Sequence, residues 1–186
     1  MRLPIRKYGD PILRAKGQQI EAIDDEIQAL AEDMLDTMHA ANGIGLAAQQ
    51  VGQALQLTVL DVSQVEDRPS TLILNGEPVP DLAAAMPLVL LNPTVRLGEV
   101  TDLGSEGCLS FPEITADIER ATVVEMEAKT LDGEKLRIEA TGLLARALQH
   151  EVDHLNGILF IDRMSSAAKA SHGSRLKRLQ KETARL

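Results

Sequence analysis

Apolar positions along the chain form two helical stretches separated by a series of short extended ones. Ile27, Leu30, Met34, Leu35, Met38 and Ala41 recur at three- and four-residue intervals, which predicts an amphipathic helix. Asp24 or Asp25 supplies its N-cap, and Asn42-Gly43 ends it. Residues 1–17, punctuated by Pro4, Gly9 and Pro11, read as irregular. Residues 57–62 read as a buried strand, 71–74 as a short strand turning at Asn75-Gly76, and 89–91 as another that Asn92-Pro93 stops. Residues 95–101 are expected to be extended. Residues 122–129 and 136–140 form a hairpin around Leu131-Asp132-Gly133-Glu134. A second helix opens at Thr141 or Gly142 and closes with Gly157 at C′. A short buried segment, 158–161, leads to a last helix, 165–186, weakened around Gly173. No repeat, low-complexity tract or linker divides the chain.

The second helix changes the picture from architecture to chemistry. It carries Gln149-His150-Glu151-Val152-Asp153-His154, an H-E-x-x-H pattern. Positions i and i+4 lie one above the other on a helix, so His150 and His154 can share one metal ion. The Glu151 carboxylate then reaches a water at the same ion, the layout of a metallohydrolase. Leu143, Leu144, Leu148 and Leu155 bury this helix, and buried imidazoles need partners.

The 186 residues are enough for one domain, 1–186, with its own core. Aromatic residues make up 2% with no Trp, so stacking platforms for single-stranded nucleic acid are missing. A formal net charge of −9 argues against general nucleic-acid binding. The single cysteine, Cys108, excludes an intrachain disulfide and fits a reducing compartment. No signal-peptide or membrane-spanning run is present, so a cytoplasmic protein without membrane attachment is expected.

Two histidines leave a metal short of protein ligands. H-E-x-x-H peptidases often take a third from downstream, but Asp162 and Glu182 follow no suitable motif, and His172 lies in a basic tail. Cys108, in Glu106-Gly107-Cys108-Leu109-Ser110, is therefore either a small buried apolar residue or an upstream thiolate ligand. Residues 43–52, GIGLAAQQVG, read on their own as a tight connection between helix and strand. Gln50 near its end can offer an amide N–H to an oxyanion.

The stretches GIGLAAQQVG, EGCLS and QHEVDH, in that order, resemble the three signature motifs of the peptide deformylases. The similarity extends to Tyr8-Gly9-Asp10-Pro11-Ile12-Leu13-Arg14 and to residues 134–161. It departs in residues 64–87, longer than in compact members, and at Gln49, where the family often has Pro or Thr. The resemblance implies an α+β fold, with antiparallel or mixed sheets around the central metal-binding helix and a helix at each end. It implies Cys108, His150 and His154 as metal ligands with a water as the fourth. Glu151 is then the general base, Gln50 and the backbone N–H of Leu109 the oxyanion donors, and Gly45 a wall of the substrate cleft. The metal implied is one divalent ion, Fe(II), with Zn, Ni or Co as substitutes. The substrate implied is the N-formylmethionyl end of a nascent polypeptide.

A methionine side chain needs an apolar pocket beside the metal. Leu143 and Ala147, on the face of His150, can floor it, Ile44 can wall it, and Arg146 can lay its stem along the wall with its charge at the mouth. Two other readings make different demands. An H-E-x-x-H metallopeptidase predicts a downstream ligand. An inactive deformylase-like binding protein predicts damage at Glu151, Gln50 or Cys108, and all three are intact. Residues 165–186 hold six Lys/Arg against one acid, a net +5 that leaves −14 on the rest. This basic helix either docks through Leu176 and Leu179 as a solvated face, or orients the protein on anionic ribosomal RNA.

Overall fold

A computed structural model describes residues 1–186. The first helix, α1 (Asp25–Ala40), is capped by Asp24, whose side chain accepts from the Ile27 N–H. Its apolar face buries Ala31, Met34 and Met38 against β1 (Gly45–Ala47) and β2 (Leu57–Leu60). A 3-10 turn, Ala48–Val51, joins these two strands and carries Gln50. Next come β3 (Ser70–Leu74), β4 (Glu77–Pro78), β5 (Leu88–Leu97), β6 (Thr101–Cys108), β7 (Phe111–Ala121), β8 (Val123–Lys129) and β9 (Lys135–Thr141). Helices α2 (Gly142–Leu155) and α3 (Ser166–Thr183) complete the chain.

Seven strands form one sheet in the order β1-β2-β5-β8-β9-β3-β4, while β6 and β7 form a separate hairpin; every strand pair is antiparallel. Helix α2 lies across the large sheet. Leu144, Ala145 and Leu148 pack there against Leu60, Leu90, Val124, Met126 and Ile138. Every residue from Leu143 to Leu155 is buried, so the polar motif residues sit inside the protein. A third cluster, with Phe111, Ile118 and Phe160 at its centre, fastens the β6–β7 hairpin to the segment after α2. The fold is α+β around the H-E-x-x-H helix, with a helix near each end, as the resemblance implied.

Several elements differ from expectation. The extended stretches expected around 89–91 and 95–101 are largely one strand, β5. It continues through Asn92-Pro93 by an irregularity in its pairing with β8. Asn92 adopts a positive φ of 52°, and its side chain clamps the Ile20 N–H and C=O at 2.8 Å each. A proline without an N–H is tolerated at such a bulge. The irregular N-terminus contains one 3-10 turn, Pro11–Arg14, capped by Asp10. The last helix is continuous through Gly173, since Leu176 and Leu179 dock on the third cluster. No helix is long and apolar enough to cross a membrane.

Residues 64–87, the stretch in which the resemblance departs, supply β3 and β4 at the sheet edge and a 3-10 turn, Ala83–Ala85. They also set the start of α2. The N-cap Thr141 makes no side-chain capping bond, and Ser70 Oγ instead accepts from the Leu144 N–H at 2.9 Å. Gly142 has a φ of 66°, and a side chain there would collide with the Pro69 carbonyl.

Candidate functional site

Helix α2 presents His150 and His154 on one face, with their Nε2 atoms 3.2 Å apart. Cys108 ends β6, and the two-residue turn Leu109-Ser110 holds its Sγ 3.3 Å from His154 Nε2. All three donor atoms lie within 4.8 Å of one another. Tetrahedral ligands at ~2.0–2.3 Å from a zinc-like ion stand roughly 3.3–3.6 Å apart, so the spacing suits one such cation. No carboxylate belongs to this group. Of the downstream carboxylates, Asp162 is ion-paired with Arg14, and Glu182 is exposed on α3.

The two imidazoles differ in their electrostatic surroundings. Burial opposes charge on both imidazoles. Hydrogen bonding to Cys108 and Glu106 nevertheless raises His150 to about 10, whereas burial and the adjacent His150 hold His154 well below the usual imidazole range. Behind His150, its Nδ1 meets Glu106 Oε1 at 2.8 Å, which leaves Nε2 turned to the site.

Glu106 is itself held from two sides. Arg120 makes a two-pronged contact with its carboxylate, both arms at 2.9 Å, and Arg146 Nη1 donates at 3.0 Å. Burial pushes this carboxyl up, but His150 and Arg120 outweigh it and hold it at about 2. Arg120 also reaches Asp153 on α2 at 2.6 Å, and Arg163 joins Asp153 from outside. A buried chain of alternating charge therefore ties the hairpin that carries Cys108 to the helix that carries both histidines. Removing one partner from such a chain strands a buried charge, at a cost of about 3–5 kcal/mol.

Glu151 follows His150 on α2, buried, with Oε1 against Gly45. A side chain at Gly45 would collide with that carboxylate and force Glu151 to move. Burial raises the Glu151 carboxyl to about 7, against the pull of His150. A cation next to it would favour the carboxylate form. Gln50 is fixed at both ends of its amide. Its Oε1 accepts from the Ala47 N–H at 2.9 Å, and its Nε2 donates to Ser110 Oγ at 3.1 Å with Cys108 Sγ at 3.6 Å.

These groups open into a cleft of about 480 Å³. The polypeptide deformylase family model matches residues 2–170. The chain belongs to the polypeptide deformylase family. It is 44% identical over 185 residues to the peptide deformylase of Opitutus terrae, covering 98% of this chain and 95% of that one. The peptide deformylase of Methylacidiphilum infernorum is 42% identical over 181 residues, 97% of this chain and 94% of its own. Among solved structures, the Thermus thermophilus peptide deformylase superposes with a TM-score of 0.81 at 36% identity, covering 98% of this chain and 99% of the other. A plant peptide deformylase gives 0.83 at 38%, covering 97% and 90%.

For a deformylase, the remaining residues of interest are those around the substrate. Ile44, Gly45, Leu109, Leu143, Arg146 and Ala147 all line the cleft. Arg146 departs from expectation in one respect: its guanidinium is not at the mouth. It is buried against Glu106, the Ile118 carbonyl at 2.6 Å and Asp102 at 2.7 Å. A buried charge goes where carboxylates and carbonyls neutralise it. Periodicity gave no hint of Glu106, Arg120 or Asp153 as partners. The sequence signal was their charge at positions that turn out buried, visible only once the hairpin is placed over α2.

Proposed function

We propose that this chain removes the formyl group from the N-terminal formylmethionine of nascent polypeptides and releases formate. The observation that carries this reading is the meeting of Cys108, His150 and His154 beside a buried Glu151, in a cleft whose wall holds Gln50. The three ligand side chains would hold one divalent cation. A thiolate and two imidazoles suit Fe(II), with Zn, Ni or Co as substitutes. When bound, such an ion polarises an amide carbonyl and lowers the pKa of a water toward ~7. Glu151 takes the water's proton, and its burial excludes bulk solvent from the exchange. Gln50 Nε2 and the Leu109 N–H donate to the oxygen of the formyl group as charge develops there, each worth roughly 3–4 kcal/mol. Glu151 then returns the proton to the leaving amine.

Leu143, Ala147, Ile44 and the stem of Arg146 take the methionine side chain. Burying it is worth roughly 1.5–3 kcal/mol, so formyl-Met-Ala should exceed formyl-Gly-Ala by at least about tenfold in kcat/KM. Formate release from the two peptides measures this, and it also tests the activity itself: no release from formyl-Met-Ala by metal-replete protein would sink the proposal. The Fe(II) form should lose activity in air faster than the Ni form, since both iron and thiolate oxidise. Equal half-lives under oxygen would count against iron.

The basic helix α3 supports a further partner. It docks through Leu176 and Leu179 and leaves Lys169, Lys177, Arg178 and Lys181 outside. A positive face on an otherwise acidic protein suits ribosomal RNA. Removing residues 174–186 should weaken ribosome co-sedimentation, most clearly at low salt, while small-peptide kinetics stay close to those of the full chain. Undiminished sedimentation would make α3 only a surface helix.

A further inference from the structure

The cleft is lined by six acidic or basic side chains besides the histidine, and most are accounted for. Glu151 serves the chemistry, and Glu106 and Arg146 neutralise each other within the buried network. Lys7 and Arg68 remain. Lys7 comes from the N-terminal segment, Arg68 from segment 64–87. Both are half-buried, and neither forms an ion pair with any carboxylate of the chain.

Each is instead held in place by one backbone carbonyl of the hairpin that carries Cys108. Lys7 Nζ donates to the Leu109 carbonyl at 2.8 Å, and Arg68 Nη1 to the Ser105 carbonyl at 3.1 Å. These anchor points lie either side of Cys108, four residues apart, roughly 13 Å along an extended chain. Neither cation is needed to fasten its own segment. The N-terminal segment is tied by main-chain bonds on both sides of Lys7, Arg6 N–H to the Gln50 carbonyl at 2.7 Å and Tyr8 N–H to the Ser110 carbonyl at 3.0 Å. The Tyr8 ring also stacks on Phe111 at 4.8 Å. Segment 64–87 is tied by the pairing of β3 with β9 and by Ser70 on the start of α2.

An ammonium has three N–H donors and a guanidinium five, so each cation keeps donors free of its tether. Partly desolvated cations without a counter-charge are costly, and a ligand anion offsets that cost. The one other carboxylate at the rim, Glu113, pairs with neither. In a chain of net charge −9, these two unpaired cations are points of the opposite sign within one cleft.

We propose that Lys7 and Arg68 are specificity-determining residues that favour substrates with an acidic side chain close behind the formylated methionine. This rests on the deformylase reading of the cleft. It also gives segment 64–87 a role: it delivers a cation to the substrate.

The test compares formyl-Met peptides that carry Asp, Ala or Lys at the second or the third residue. In the wild type, Asp should exceed Lys in kcat/KM by about three- to tenfold for each cation engaged. Lys7→Met and Arg68→Met should each reduce that ratio, at the position the residue reads, and the double variant should bring it close to one. Lys7→Arg and Arg68→Lys should keep most of it. The ratio is the readout, because a loss shared by all peptides reports a disturbed Leu109 or pocket instead. Raising the ionic strength should shrink the wild-type ratio without any substitution. A wild type that releases formate but shows no preference for Asp, or a double variant that keeps it, overturns the proposal and leaves the deformylase reading intact. A wild type that releases no formate from any of the peptides overturns both.

Discussion

Glu151→Gln is expected to leave the metal site loaded and to lower kcat at least about 100-fold. The two side chains have nearly the same shape, and the cavity for this one is narrow. Its Oε1 lies against Gly45, and the residue is buried directly after His150 on α2. Glutamine therefore fits without moving the helix. It donates no lone pair basic enough to take a proton from water, and it cannot return one to the departing amine. Because Glu151 is no ligand, Cys108, His150 and His154 should retain the ion. The measurements are metal content by elemental analysis and formate release on the same preparation. Near-normal turnover in a metal-replete Gln variant would falsify the assignment of the base.

Cys108→Ala is expected to remove most of the bound metal, and activity with it. Of the three proposed ligands, Cys108 alone comes from outside α2, at the end of β6 beside the two-residue turn into β7. Without it, two imidazoles hold the ion, and the loss of affinity should exceed the about 10–100-fold that the loss of a mere supporting hydrogen bond costs. The stabilisation that a metal confers on the folded state should fall as well, because it grows with the logarithm of the free metal concentration over Kd. Dialysis against a chelator followed by metal analysis, together with Tm with and without added metal, reads both effects. Cys108→Asp replaces one anionic ligand by another and should retain more metal than Cys108→Ala. If the alanine variant kept its metal and its activity, Cys108 would be a packing residue only.

Much of the site was legible because its most demanding part is local. A pair of histidines at i and i+4 on an apolar helix needs no tertiary knowledge to share an ion. Helix α1 was equally plain, with a regular apolar face and Asp24, one of two candidates, as its cap. The β6–β7 hairpin was not visible. Its buried positions include Glu106 and Arg120, and the faces of its strands alternate only in part. Apolar alternation, the usual sign of a half-buried strand, is missing where a buried ion pair takes the place of aliphatic side chains. Strand β5 was split in expectation because Asn-Pro reads as a stop, and only the clamp of Asn92 on Ile20 makes it a bulge.

The sequence by itself determined the chemistry available: two imidazoles and a carboxylate on one helix, one thiolate, one amide after a glycine-rich stretch. Tertiary structure decided which of these meet. The hairpin turn carries Cys108 to His154, Gly45 yields its side-chain space to Glu151, and Arg120 joins the hairpin to α2 through Glu106 and Asp153. It also turned the Arg146 charge away from the mouth and brought Lys7 and Arg68 to the cleft instead. The physical reason is range. Helical spacing fixes contacts within a turn, whereas where a charge rests depends on which distant carboxylates and carbonyls the packed chain places beside it.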